Sequence, residues 1–321
     1  MTDVLLVSLG GTTGLREADA ELAASLRRAG AAVQVAAARP QRERRTLALH
    51  ELGWALAARR AAAAGIAEHR PRAVLYSSIT AALLAPRPGA IRFDAPAAGN
   101  RPGRHGIWQR PAERRRLAAA TLLVPWSEGA LAEAPRSQAD AVVVPVPVAP
   151  SGPAAERDIA AITYGANPAK KGLDRVLAAW RAARRDGETL VVAGLTGRDE
   201  DGVRYAGMMP RDDYRALLRR ARVFVTAPRR EDYGIAQLEA LADGCALVTT
   251  PSPGPYAALP LARALDPRLV GEGLAIRVAL DDPSPGYAER AAELLAPWSP
   301  EAVDRVVAEE LLPRLLRTSA G

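Results

Sequence analysis

Residues 228–251 read PRREDYGIAQLEALADGCALVTTP, and the reading of this stretch decides the fold. It opens as an Arg-rich loop, passes through Glu231, Asp232, Tyr233 and Gly234, and then takes on helical spacing. Ile235, Leu238, Leu241 and Ala242 recur at the helical period, which predicts a helix over residues 235–242. Asp243-Gly244 stops it, Gly being the usual residue for a left-handed C-terminal turn. The run ALVTT at 246–250 then reads as a buried strand. A loop, a short helix and a buried strand in this order are one unit of an α/β fold with a parallel sheet.

Glu239 is the odd residue of the stretch. It lies between Leu238 and Ala240 on a helix with almost no polar face, so burial is expected. A buried carboxylate is costly unless it finds donors, and no basic residue lies one turn away on the same helix. Ligand hydroxyls would serve. Helical side chains lean toward the N-terminus, so Glu239 reaches a ligand held at that end. The free N–H groups and the dipole of that end seat a phosphate, and Glu231 faces the same spot from the loop. Two carboxylates beside a phosphate seat suit a sugar carried on a diphosphate. The alternative is plainer: Glu231 as an acid near a helix start and Glu239 as a solvated helix residue.

Glu231 and Glu239, seven residues apart in the frame E-D-Y-G-I-A-Q-L-E-A-L-A-D-G, resemble the E-x7-E signature of family-4 retaining glycosyltransferases of the GT-B fold. The resemblance implies that Glu231 contacts the donor sugar and Glu239 the ribose hydroxyls. The backbone of Asp232, Tyr233, Gly234 and Ile235 would lie against sugar and phosphates. A second motif of that family, G-R-x-x-x-x-K-G, is matched at Lys171 and Gly172, which implies a grip on the donor diphosphate. Its Arg is replaced by Ala166, with Lys170 as the nearest substitute. Gly10-Gly11 matches the glycine pair that the family places after its first strand. Asp94 falls where members carry a His or Asp facing the reaction centre, with a loop carboxylate paired to Arg as the other reading. His105, in a Gly-, Pro- and Arg-rich segment, is a further candidate on the catalytic side, against a plain exposed loop His. No metal ligand set and no cofactor are expected; Asp199-Glu200-Asp201 reads as a solvated turn.

Length and charge agree with two domains. The chain has 321 residues, natural for two cores of ordinary size. Residues 1–150 hold 20 Lys and Arg against 12 Asp and Glu, a net of +8; residues 151–321 hold 23 against 24, a net of −1. The one-sided excess points to an anionic partner: acidic lipid headgroups, a phosphorylated acceptor or nucleic acid. Aromatics at 4% and Arg scattered without a recognition motif argue against nucleic acid. Only Lys170 and Lys171 are lysines, and a compact ammonium suits phosphate as a point charge. The single cysteine, Cys245, excludes a disulfide framework. With no basic leader at the start and no long apolar run, the expected location is cytoplasmic, with peripheral contact at the inner membrane face.

Outward from the quoted stretch, the pattern predicts strands at 4–8, 31–37, 73–76, 90–93, 122–124, 159–164, 189–194, 203–207 and 223–227. Helices are expected at 15–29, across most of 42–70, from 127, through 184, and at 212–222. Residues 95–110 read as an irregular acceptor loop, and 142–150 (VVVPVPVAP) as a strand running into a proline-rich connector. The expected architecture is α/β: two facing Rossmann-like, doubly wound parallel-sheet domains with the active site in the cleft between them. Residues 1–150 form an acceptor-side domain and 151–298 a nucleotide-sugar domain. Residues 299–321 form a helix crossing back toward the first. The expected activity is metal-independent, retaining transfer of a hexosyl group from a nucleotide-diphosphate sugar to a glycan, lipid or small-molecule acceptor. A GT-B nucleotide-sugar epimerase and a non-catalytic nucleotide-sugar-binding protein stay open, and an NADP-dependent enzyme fits least.

Overall fold

The computed structural model describes residues 2–11, 13–41, 46–101 and 103–317, with the side chains of all but 13, 100, 104 and 105. The chain divides into two units, Met1–Pro147 with Pro300–Gly321, and Val148–Ser299.

In the first unit the apolar runs become five parallel strands: β1 (Val4–Ser8), β2 (Val33–Ala37), β3 (Ala73–Tyr76), β4 (Ala90–Phe93) and β5 (Leu122–Pro125). Their order is β2-β1-β3-β4-β5. Because side chains alternate along a strand, each sheet face has its own core. Leu5, Val7, Val74, Tyr76, Ile91 and Phe93 pack with Ala55, Ala58 and Ala62 of the helix Leu47–His69. On the other face Val4, Leu6, Leu75 and Val124 pack with Leu22, Ala23 and Leu26 of the helix Thr13–Arg28. Val303, Val307, Leu311 and Leu315 of the C-terminal segment cover the same face. That segment runs as helix Pro300–Val306, a π-helical turn Val307–Leu311 and helix Leu312–Arg317. Pro313 has no N–H to give the carbonyl of Glu309, which accounts for the irregular turn before it. Asp304 holds the segment down, accepting from Ser25 Oγ at 2.5 Å and Arg28 Nε at 2.6 Å.

The second unit repeats the plan with β6 (Ile159–Tyr164), β7 (Leu190–Ala193), β8 (Val203–Gly207), β9 (Ala221–Thr226) and β10 (Ala246–Thr249). All are parallel, in the order β10-β9-β6-β7-β8. Trp180 of the helix Leu173–Ala183 is fully buried, its indole N–H on the carbonyl of Gly202 at 2.7 Å.

Three local readings need correction. Residues 142–150 are not a strand. Val142, Val144, Val146 and Val148 are buried at alternate positions, and Val142 and Val144 donate to Leu123 and Pro125. Pro145, Pro147 and Pro150, however, have no N–H with which to continue a ladder. Residues 95–110 are not structureless: a turn of helix forms at Ala97–Asn100, a 3-10 turn at Gly103–Gly106, and a helix begins at Gln109. Buried Glu113 organises this segment by accepting the Ala97 N–H on both carboxylate oxygens, at 2.8 and 3.0 Å. Between Pro255 and Ser299, where the sequence signalled no element, lie helices Ala258–Leu265, Ile276–Asp281 and Tyr287–Leu294.

Candidate functional site

In a parallel α/β sheet, ligands bind beyond the carboxyl ends of the strands where the winding reverses. In the second unit β6 has β7 on one side and β9 on the other, so the reversal lies between β6 and β9. The two motifs read from the sequence are the loops that leave these two strands.

After β6, Asn167 Oδ1 caps the single turn Pro168–Lys171 by accepting the Lys170 N–H at 3.1 Å, with Pro168 at the first helical position. Gly172 follows at φ +62° and starts the next helix. A Cβ there would lie 1.9 Å from the carbonyl oxygen of Ala227, just past the end of β9. The glycine therefore lets the two loops touch. Arg229 N–H donating to the Lys170 carbonyl at 2.9 Å ties them a second time.

This places the cations of one loop on the acids of the other. Lys171 Nζ donates to Glu231 Oε2 at 2.6 Å, and Lys170 Nζ to Asp232 Oδ2 at 2.5 Å. Arg230 Nε donates to Asp232 Oδ1 at 2.9 Å, and Gln237 Nε2 to Glu231 Oε2 at 2.9 Å. Glu231 and Asp232 are both buried. Burial alone would raise the Asp232 carboxyl, but Lys170 and Arg230 outweigh it and hold it below the usual range. The Glu231 N–H donates to Pro253 at 3.0 Å, so the proline-rich loop after β10 backs this acid. Tyr233 is buried, its hydroxyl accepting from Trp298 Nε1 at 3.1 Å. Gly234, at φ +92°, precedes the helix Ile235–Ala242. Tyr256 packs beside Gly234, and its hydroxyl meets Thr249 Oγ1 at 2.8 Å.

Glu239 is buried, as its apolar neighbours require, but it does not wait for a ligand to supply donors. Arg211 reaches its Oε1 through Nε at 3.1 Å and Nη2 at 2.6 Å, and Arg215 Nη1 stands at 3.5 Å. Arg215 is itself buried, with Nε on Asp243 at 2.6 Å and Nη2 on the Ala149 carbonyl at 2.8 Å. Both arginines belong to the helix Arg211–Arg220, one turn apart. Nothing on the helix of Glu239 itself signals these two donors, and no motif marks Gln237 or Arg230.

The structure thus brings Lys171, Gly172, Glu231, Asp232, Tyr233, Gly234, Ile235 and Glu239 into one neighbourhood. The other candidates belong to the first unit. Gly10, at φ +59° beyond β1, gives its carbonyl to Arg16 Nη1 at 3.1 Å, and Gly11 lies against Trp54. Asp94 closes β4 and accepts the Ala95 N–H at 2.9 Å. The side chain of His105 lies outside the described residues. The carboxylates of Asp199, Glu200 and Asp201 go separately to Tyr205 N–H, Arg181 and Arg184. Among the described residues no group of three or more His, Cys, Asp or Glu is placed to hold a metal ion.

Residues 158–295 match the family described as "Glycosyl transferases group 1". No curated protein matches the sequence significantly. Among solved structures, the chain is similar to the sucrose-phosphate synthase from Thermosynechococcus elongatus, with TM-score 0.68, 14% identity and 100% of each chain covered. It is also similar to the structure described as trehalose-6-phosphate from E. coli bound with UDP-2-fluoro glucose. There the TM-score is 0.69 at 11% identity, over 97% of this chain and 99% of that one. A third likeness is to WaaG, a glycosyltransferase involved in lipopolysaccharide biosynthesis, with TM-score 0.63, 14% identity, and 99% and 98% covered.

Proposed function

We propose, from the match of residues 158–295 to the family described as glycosyl transferases group 1 and from the GT-B class of Rossmann-like fold in both units, that the protein transfers a sugar from a nucleotide-diphosphate donor with retention at the anomeric carbon. The observation that carries the reading is the meeting of Lys171, Glu231 and the Gly234 helix end at the β6–β9 reversal.

As the bond from the anomeric carbon to the diphosphate oxygen breaks, negative charge gathers on the departing diphosphate. Lys171, the amides at Gly234 and the helix dipole stabilise that charge, and no metal is assigned to the step. Lys170, held beside Asp232, stands in for the cation missing at Ala166. Glu231 orients the sugar hydroxyls and Glu239 the ribose. The acceptor oxygen attacks from the face that the diphosphate leaves, and its proton passes to the leaving phosphate. Asp94 and His105 are assigned to the acceptor side. The net +8 of residues 1–150 favours an acceptor bearing phosphate or another anionic group.

A thermal-shift panel of UDP, GDP, ADP, TDP and CMP against wild type and Glu239→Ala tests the donor site. A nucleotide at about one hundred times its Kd stabilises by ~2.7 kcal/mol. One nucleotide is expected to shift wild type and not the variant, each compared with its own unliganded melting point. No shift with any nucleotide would remove the reading. Product NMR showing the inverted anomer would remove retention alone, and donor turnover without acceptor would favour the epimerase.

A further inference from the structure

The helix Leu47–His69 is turned inside out relative to an ordinary surface helix. At 3.6 residues per turn, Glu51, Ala55, Ala58 and Ala62 share the arc that packs on the sheet, and all four are buried. Small residues there let the helix lie close: a Cβ on Gly65 would come within 3.1 Å of Leu5. Close packing explains small residues inside but requires no large ones outside. Yet Leu49, Leu52, Leu56 and Ala63 fall within an outward arc of about 60°. Leu49 is 48% exposed and Leu56 40%. A surface helix normally puts polar residues there. Of the seven large hydrophobic side chains exposed among the described residues, five belong to the first unit, so the apolar excess lies on one unit. Leu47 and Ile107 are two of them, and Ile107 follows the 3-10 turn Gly103–Gly106, which packs against this helix.

The charges beside the stripe are all of one sign. Arg60 is exposed at one edge of the arc; Arg59, exposed at the other edge, also donates through Nη1 to the Leu84 carbonyl at 3.0 Å, and the only acid between residues 46 and 67 is buried Glu51. Long basic side chains on the flanks of an apolar stripe can reach up to anionic headgroups while the leucines enter the acyl boundary. A second copy of the chain is a poorer occupant, because a two-fold contact would set Arg59 and Arg60 near their own equivalents with no exposed carboxylate on the stripe to answer them. We infer that the Leu49–Leu52–Leu56 stripe, with Arg59 and Arg60, is a docking face for an anionic bilayer. Among the described residues no helix is long and apolar enough to cross a membrane, so the contact is with the surface.

The test is co-sedimentation of the full chain with vesicles of phosphatidylcholine alone or mixed with phosphatidylglycerol. Wild type is expected to bind the mixed vesicles and to be released by salt. Leu49→Glu with Leu56→Glu should weaken binding by more than roughly tenfold. Arg59→Gln with Arg60→Gln should weaken it by up to roughly twenty-fivefold, at about fivefold per arginine near an anionic surface. Leu49 and Leu56 are exposed, so the leucine variant should keep the wild-type melting temperature and any nucleotide-induced shift, which separates this result from the donor-site test; Arg59→Gln also gives up the bond to the Leu84 carbonyl, so the arginine variant is read against its own melting point. Equal binding to both vesicle types, no binding, or unchanged binding by the leucine variant would overturn the inference. So would light scattering that shows a dimer abolished by Leu56→Glu without vesicle binding.

Discussion

Replacing Gly172 by alanine tests how the two loops of the site are held together. The substitution carries two separable costs. The backbone sits at φ +62°, a left-handed conformation worth about 1–2 kcal/mol against any residue with a Cβ. The new methyl group would also start 1.9 Å from the Ala227 carbonyl oxygen, and a main-chain atom cannot swing aside as a side chain can. The loops must part by roughly an ångström in a closely packed region, which brings the total to about 3–5 kcal/mol. For a unit of this size that corresponds to a fall in Tm of roughly 6–20 °C. Gly187→Ala is the control: its φ is +82° but nothing lies within 4 Å of the added carbon, so it should lose only the conformational part. Calorimetry of the two variants beside wild type reads the difference. Lys171 precedes Gly172, so Gly172→Ala should also abolish any nucleotide-induced shift while Gly187→Ala preserves it. Equal losses in the two variants would refute the loop-contact argument.

Two further outcomes follow from buried charge. Lys171→Met leaves buried Glu231 with, among the described residues, only the Gln237 amide as a side-chain donor, and should cost about 2 kcal/mol, less than a fully buried broken pair because the lysine is partly exposed. Urea unfolding should show most of that loss recovered when Glu231→Gln is added, and no recovery would mean the pair is not the source. Glu113 is raised to about 7, first by burial, with the Ala97 N–H pulling the other way. Its folded value exceeds the unfolded one, near 4.3. The folded state therefore holds the proton more tightly, and the associated stability is full below that value and lost as pH rises through about 7. The change is on the order of 3 kcal/mol. Glu113→Gln keeps an acceptor for Ala97 and should flatten the dependence of Tm on pH between 5 and 8. A variant as pH-dependent as wild type would assign the effect elsewhere.

The strands were legible where an apolar run is bounded by residues that cannot continue it. β3, β4, β6 and the helix Ile235–Ala242 take the limits that the sequence signalled, because propensity, pattern and stop residue agree there. Residues 142–150 misled because burial alternates as in a strand while the prolines silence the ladder. The helices between Pro255 and Ser299 were hidden by Pro, Gly and Asp-rich punctuation, which marks turns without revealing the short apolar stripes between them.

The site was legible in its residues and illegible in its partners. Glu231 and Lys171 lie sixty positions apart, and only the parallel order that sets β9 beside β6 makes them neighbours. The same holds for Glu239. Its burial follows from Leu238 and Ala240, but its donors come from Arg211 and Arg215, on the helix that leads into β9. A helix of pattern R-x-x-x-R immediately before a central strand carries the signal: both guanidinium groups leave one face, and the helix after that strand is the natural neighbour. Arg215 is fixed by Asp243 and Ala149 and cannot leave without stranding a buried charge. Arg211 meets the same carboxylate oxygen from the solvent side, its side chain 45% exposed.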